Sequence, residues 1–273
     1  MFTRRAGWRK RRNPMDVQDI PVEIVDQIGA IQNLSFPRQG YTSLVAKIQT
    51  RDHQFIIKKT EHALFNEWLS EEYLALQYLS TTGLPVPKPY AFHIQDRSRW
   101  LLMDYIDGIS LRHYLGSKPD LRDREKVISH YGLCLKKIHE SQCPVELRKN
   151  DQSWLDTMLM KASRNLTNYH VEGTEELLIR LKNNRPKPIE NTLIHGDFHT
   201  NNVLVNNNKV IGIIDWPRAA FGDPRFDIAL AIRPKQDVFD QEGDQDVFFE
   251  SYGRVRITDE EYRYFQEGLY KFF

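Results

Sequence analysis

Between residues 20 and 107 the apolar positions change period several times. IPVEIVDQIGAIQ has a helical pattern, while LVAKIQT and QFIIKK are short β-rich runs around the polar RDH and read as a hairpin. In FNEWLSEEYLALQYLS, Phe65, Leu69, Leu76 and Leu79 fall near helical spacing, and Gly83 followed by LPVPKPY ends that helix. YAFHI and RWLLMDYI read as two further strands around QDRS. The expected product is one helix packed on a small antiparallel sheet.

Beyond Gly108 the pattern becomes helical. LRDREKVISHYGLCLKKIHES, DQSWLDTMLMKASRNLTNYHV and GTEELLIRLKNN each repeat apolar residues at three and four positions. Pro186 and Pro188 interrupt them, and two short apolar runs follow, TLIHG to NNVLV and KVIGIIDW, joined by the turn-prone NNNK. A second hairpin with polar residues on its flanks is expected there. The division this suggests is a leader of residues 1–14, an N-terminal lobe of 15–107 and a C-terminal lobe of 108–273.

Composition narrows the class. The 273 residues, 40% hydrophobic and 27% charged, suit one large globular domain or two lobes. Formal charge is +1, but MFTRRAGWRKRRNP carries six basic residues and no acid, so the remainder holds 32 basic against 37 acidic residues. A body at −5 argues against nucleic acid as a partner, since a nucleic-acid surface needs clustered cations. The leader reads as a solvated tail, as a contact for nucleic acid or an anionic membrane, or as an extension upstream of the true start; the tail is preferred. Met15 opens the more ordinary MDVQDIPVEIVDQIG and is a candidate start. No apolar stretch of signal-peptide length follows the arginines, and no segment approaches the roughly 20 apolar residues of a membrane span. Cys134 and Cys143 form no C-x-x-C pair, which suggests neither a disulfide framework nor a thiolate zinc site and fits a reduced, cytoplasmic setting.

The chemistry concentrates in LIHGDFHTNNVLV, residues 193–205. His195 and His199 are four apart with Asp197 between them, yet Gly196, the paired asparagines and VLV describe a loop entering a strand, not the helix face that a zinc pair usually uses. A polar loop satisfying its own turns is a second reading. Phosphoryl transfer accounts for more residues. Asp197 and Asn202 have the D-x-x-x-x-N spacing of a kinase catalytic loop, in which the aspartate takes the hydroxyl proton and the asparagine holds magnesium. Thirteen residues on, Asp215 closes VIGIID at a strand end, where a second magnesium ligand would stand.

HGDFHTNN, GIIDW and GDPRFDIALAI in that order resemble the aminoglycoside phosphotransferase and choline kinase superfamily. The resemblance implies an α+β, bilobal, protein-kinase-like fold: a small antiparallel-sheet N-lobe with one main helix, and a larger, mainly helical C-lobe. It implies Asp197 as catalytic base, Asn202 and Asp215 as magnesium ligands, and His195 and Asp227 as supports of the loop. Lys58 in FIIKK follows three β-formers as in a kinase V-A-I-K strand and would reach the phosphates. The family places an acidic orienter at Glu72, with Glu67 and Glu71 as competitors. RWLLMDYIDG resembles the interlobe hinge, where main-chain groups near Asp104 and Ile106 would hold a purine above Met103. RQGYTSLVAKI lacks a G-x-G-x-x-G, but Gly40 and Ser43 offer a small phosphate-facing turn.

The expected activity is therefore an ATP- and magnesium-dependent kinase whose partners are the nucleotide and a small molecule bearing a hydroxyl. The sequence does not choose between ATP and GTP, and it names no protein partner. The resemblance runs from about Ser35 to the terminal GLYKFF, where Tyr270 and Lys271 stand at places that are acidic in antibiotic-modifying members. That departure separates the catalytic assignment from aminoglycoside or macrolide resistance. The alternatives are a nucleotide-binding regulatory module that transfers no phosphate and an aminoglycoside or macrolide resistance kinase; a protein kinase ranks behind them, because this chain lacks the activation segment ending in A-P-E.

Overall fold

The computed structural model describes residues 15–37, 42–148, 153–234, 238–254 and 256–273; the basic leader and Gly40 lie outside the described residues. Two compact units result. One runs through Asp107 and includes Ile214–Arg218, and the other comprises Gly108–Ile213 and Ala219–Phe273.

The first unit holds α1 (Val22–Ile28), β1 (Asn33–Ser35), β2 (Leu44–Gln49), β3 (Gln54–Thr60), α2 (Ala63–Leu79), β4 (Pro89–Gln95) and β5 (Ser98–Asp104). Its strands form one antiparallel sheet in the order β1-β2-β3-β5-β4. β1 is a three-residue edge strand, too short to show alternation in sequence. The two-residue period of β3 turns Phe55 and Ile57 to one face, where they join Met15, Ile20, Ile24, Ala46, Ile48 and Trp100 in a core. Lys58 consequently faces the other side, paired in register with Leu101 of β5. α2 covers that side: Tyr73 stacks on Phe92 of β4 with centroids 4.8 Å apart and planes at 10°. Leu69, Glu72, Leu76 and Leu79 are all buried along one stripe of α2. A carboxylate thus occupies a place in an apolar stripe, which requires a partner beneath it.

The second unit holds β6 (Ile109–Ser110), α3 (Leu111–Gly116), α4 (Leu121–Glu140), α5 (Trp154–Asn168), α6 (Glu175–Asn183), β7 (Thr192–Ile194), β8 (Val203–Asn206), β9 (Lys209–Ile213), β10 (Ala220–Gly222), α7 (Pro224–Ala231), α8 (Asp244–Tyr252) and α9 (Asp259–Tyr262). A π-helical turn, Arg263–Gly268, and a 3-10 turn, Leu269–Phe272, follow. Side-chain caps from Asp120, Ser153 and Thr174 start α4, α5 and α6, each accepting a main-chain N–H three residues on. α4 and α8 approach closely at Gly132, where a Cβ would meet the Phe248 carbonyl oxygen at 2.4 Å.

The expected second hairpin is β8–β9. Its two-residue loop, Asn207 and Asn208, has φ of 48° and 59°, the conformation that suits a right-twisted hairpin and that asparagine tolerates. β7 pairs with β10 instead, Ile194 opposite Ala220 and Thr192 opposite Gly222. The pairing sets Gly222 beside Thr192, and α7, every residue of which is buried, follows directly, so that Asp227 reaches the main chain just past β7 where the polar loop begins. Among the described residues, no helix is long and apolar enough to cross a membrane.

Candidate active site

In the first unit three predicted residues meet. Lys58, buried, donates to both carboxylate oxygens of Glu72 at 2.8 and 2.9 Å, and it also pairs with Oδ1 of Asp215. Asp215 reaches this position through a left-handed φ of 65° at the end of the VIGIID run. The next residue, Trp216, is fully buried and gives its main-chain N–H to Glu72. Burial disfavours the charge on Lys58, but the carboxylates of Asp215 and then Glu72 outweigh it and hold the ammonium above its usual range. Burial likewise pushes Glu72 up, against the downward pull of Lys58. One cation between two carboxylates leaves the cluster a net acid, and the Asp215 side chain, 43% exposed, keeps an oxygen open. Glu67 is exposed and Glu71 half-buried, so the apolar stripe selects Glu72 from the three.

The nucleotide positions are placed as follows. Met103 is buried and shares the α2-facing side of β5 with Leu101, hence the face that carries Lys58. Asp104 exchanges main-chain and side-chain bonds with the β4 side: its N–H donates to the Lys88 carbonyl at 3.0 Å, and its carboxylate accepts from Lys88 N–H at 2.9 Å and Tyr90 OH at 2.7 Å. Ile106 is half-buried beyond the end of β5, and Ser43 is buried just before β2.

The second unit builds the polar loop. Asp227, in the first turn of α7 and without solvent exposure, accepts the main-chain N–H groups of His195 at 2.6 Å and Gly196 at 2.8 Å. His139 of α4 lies between Asp227, with Nε2 at 3.4 Å, and the Tyr252 hydroxyl, with Nδ1 at 2.7 Å. Burial holds the His139 imidazole below its usual range, although Asp227 opposes this. Gly196 turns the chain at φ 79°, and His195 Nδ1 accepts the N–H of Asp197 at 3.1 Å. Phe198 stacks on Tyr131 with centroids 4.8 Å apart and fastens the loop to α4.

Asp197 therefore leaves a rigid turn with its carboxylate partly exposed. The Asn202 side-chain amide donates to the Asp197 carbonyl at 3.0 Å and to Oδ2 at 3.3 Å, which commits its nitrogen and leaves its oxygen as an acceptor. Two neighbours of the carboxylate were not part of the sequence-based catalytic set. Tyr270 OH donates to Oδ1 at 2.9 Å, and His199 Nε2 stands 3.6 Å from the same oxygen. No local spacing pairs residues 197 and 270, whereas His199 stands within the loop, where its spacing from His195 suggests only a metal ligand. His195 Nδ1 and His199 Nδ1 both accept loop N–H groups, the latter from Asn201 at 3.2 Å. Among the described residues, no group of three or more His, Cys, Asp or Glu side chains is arranged to hold a metal. Harder oxygen chemistry, an amide oxygen and a carboxylate oxygen with water and phosphate completing the shell, suits magnesium better than zinc.

A family model described as the phosphotransferase enzyme family matches residues 33–264. The chain belongs to that family and is a phosphotransferase with hydroxyl groups as its acceptors. An aminoglycoside 3'-phosphotransferase from Streptomyces fradiae is 28% identical over 214 residues, covering 72% of this chain and 77% of the relative. One from Enterococcus faecalis is 30% identical over 183 residues, covering 62% and 67% respectively. The fold matches a solved aminoglycoside phosphotransferase from Streptomyces rimosus, in complex with ADP and streptomycin, with a TM-score of 0.70 at 19% identity, covering 92% of this chain and 97% of that one. The expected α+β kinase-like class is thus the observed one.

Proposed function

We propose that the protein transfers the γ-phosphate of ATP to a hydroxyl of a small metabolite or sugar-like compound, with magnesium as cofactor. The first unit would serve as the nucleotide-binding lobe and the second as the catalytic and acceptor-binding lobe. The observation that carries the reading is the buried Lys58 ammonium held by Glu72 and Asp215: a fixed cation with an adjacent open carboxylate is what a polyphosphate and its metal require. Ser43 would border the phosphates, while main-chain groups at Asp104 and Ile106 would hold the base above Met103.

Asn202 and Asp215 would hold the magnesium through the amide oxygen and the free carboxylate oxygen. When bound, the ion supplies charge neutralisation on the phosphates. Lys58 grips and orients the phosphates. Asp197 accepts the proton of the attacking hydroxyl, while Asn202 fixes its rotamer and Asp227 and His195 fix the loop.

A second reading, transfer to an aminoglycoside, is favoured by the relatives' names. The charges favour an acceptor that is not a polycation. Arg233 lies 5.3 Å from the Tyr270 ring, whose hydroxyl touches Asp197. Elsewhere in the same unit the Asp223 and Glu261 carboxylates are paired with Arg225 and that of Asp156 with Arg185, each at 2.6 Å. A cytoplasmic setting fits two free, buried thiols, Cys134 pushed up to about 12 and Cys143 to about 11 by burial. The test is magnesium-dependent ADP release across aminoglycosides, macrolides, amino alcohols, sugars and nucleosides. Turnover with neutral alcohols supports the first reading, and turnover confined to aminoglycosides supports the second.

A further inference from the structure

The 3-10 turn Leu269–Phe272 carries Tyr270 to a carboxylate 73 positions earlier in the chain. The turn is docked firmly. Leu269 and Phe272 are fully buried, Asn165 Nδ2 donates to the Phe272 carbonyl at 2.9 Å, and the Lys271 carbonyl accepts the N–H groups of Glu172 and Gly173 at 3.1 and 3.0 Å. Gly173 is required there, since a Cβ would meet the Phe272 ring at 2.4 Å. Tyr270 itself is only half-buried, between Phe226, 6.3 Å away by centroids, and the Arg233 guanidinium.

An acceptor hydroxyl must come within about 2.6–3.2 Å of the base oxygen to give up its proton. The Tyr270 phenol already donates to Asp197 Oδ1 from 2.9 Å. The opposite oxygen, Oδ2, is engaged by Asn202 at 3.3 Å, and His199 Nε2 crowds Oδ1 from 3.6 Å. The phenol thus meets the base with the same donor chemistry as an acceptor hydroxyl.

We propose that Tyr270 is a specificity-determining residue that holds the acceptor's place on Asp197, shielding the base from water until an acceptor displaces the phenol. The inference rests on the reading of Asp197 as the base. In the transfer, the nucleophile's oxygen bonds to the γ-phosphorus, its proton passes to Asp197, and the bond from that phosphorus to the β,γ-bridging oxygen breaks, so that ADP leaves with the electron pair. Water in that position gives hydrolysis, and an alcohol gives the phosphoester. Admitting the alcohol would require the Tyr270 side chain to move while the turn stays docked through its main chain and through Leu269 and Phe272.

The experiment is magnesium-dependent ATP hydrolysis without acceptor, followed by coupled ADP release, in the wild type, Tyr270→Phe, Tyr270→Leu and Tyr270→Phe with Asp197→Asn. Loss of the phenol hydroxyl is expected to raise hydrolysis about three- to tenfold, the size of one hydrogen bond to a base, with KM for ATP unchanged. Both hydroxyl-free variants should show the rise, and the double variant should lose it. Thermal melting of each variant verifies folding. Hydrolysis by Tyr270→Phe and Tyr270→Leu at or below the wild-type rate overturns the inference, because the phenol would then be orienting the base. If the wild type consumes no ATP with any acceptor, the phosphotransfer reading fails first and takes this inference with it.

Discussion

Asp227 accepts the main-chain N–H of His195 at 2.6 Å, and neither side chain has any solvent exposure. The bond fixes the loop from below, with a second bond to Gly196 N–H at 2.8 Å. Asparagine at 227 could offer only one acceptor atom to two buried donors. Asp227→Asn is therefore expected to cost about 1–3 kcal/mol in urea unfolding and to lower turnover as the loop loosens. Unchanged stability would show that the pair is not the loop's anchor.

Lys58 balances two carboxylates, so removing it leaves Glu72 buried without its cation. Lys58→Met is expected to destabilise the protein by about 3 kcal/mol and to raise KM for ATP. Adding Glu72→Gln should recover part of the stability and none of the nucleotide affinity. Additive losses in the double variant would contradict the coupling.

His139 supplies a pH dependence. Burial, opposed by Asp227, holds its imidazole below the usual 6.5. As pH falls through that value the unfolded chain takes up a proton before the folded one does, so the stabilisation is complete above about pH 6.5 and shrinks below it. The melting temperature of the wild type should decline between about pH 6.5 and pH 5, and His139→Gln should flatten part of that slope. Parallel slopes for the two proteins would exclude His139 as a contributor.

Gly132 sits where α4 crosses α8. Alanine would improve helix propensity by about 1 kcal/mol, but its Cβ would stand 2.4 Å from the Phe248 carbonyl oxygen, a backbone atom that cannot swing aside. Gly132→Ala should therefore lower stability by about 1–3 kcal/mol in denaturant unfolding. A stability gain would mean that the two helices separate easily.

Local period carried much of this architecture into the sequence. α4, α5 and α6 are long enough to repeat their apolar positions, and β2–β3 and β8–β9 are joined by short polar turns. β1, β7 and β10 are three residues each, too short for alternation to stand out, and β7 pairs with a strand 28 residues away in register. The grouping of Ile214–Arg218 with the first unit has no local signature, since it follows from Asp215 and Trp216 binding Lys58 and Glu72. Asp197 and Asn202 were legible because their contact lies within one loop. Glu72 had its own signal, a carboxylate in register with Leu69, Leu76 and Leu79, but the family resemblance was needed to choose it. Tyr270 was legible only as a departure from an acidic position; its bond to Asp197 depends on the docking of the terminal turn against Asn165 and Gly173.

In the proposed reaction Asp197 serves as the base for transfer to a bound hydroxyl while nucleotide is held elsewhere in the chain. The direct measurement compares wild type with Asp197→Asn for magnesium-dependent phosphoryl transfer and, separately, for ATP binding by calorimetry. Turnover is expected to fall by about 10² to 10⁴ with ATP affinity within a few-fold of wild type. Near-normal turnover in Asp197→Asn would contradict it.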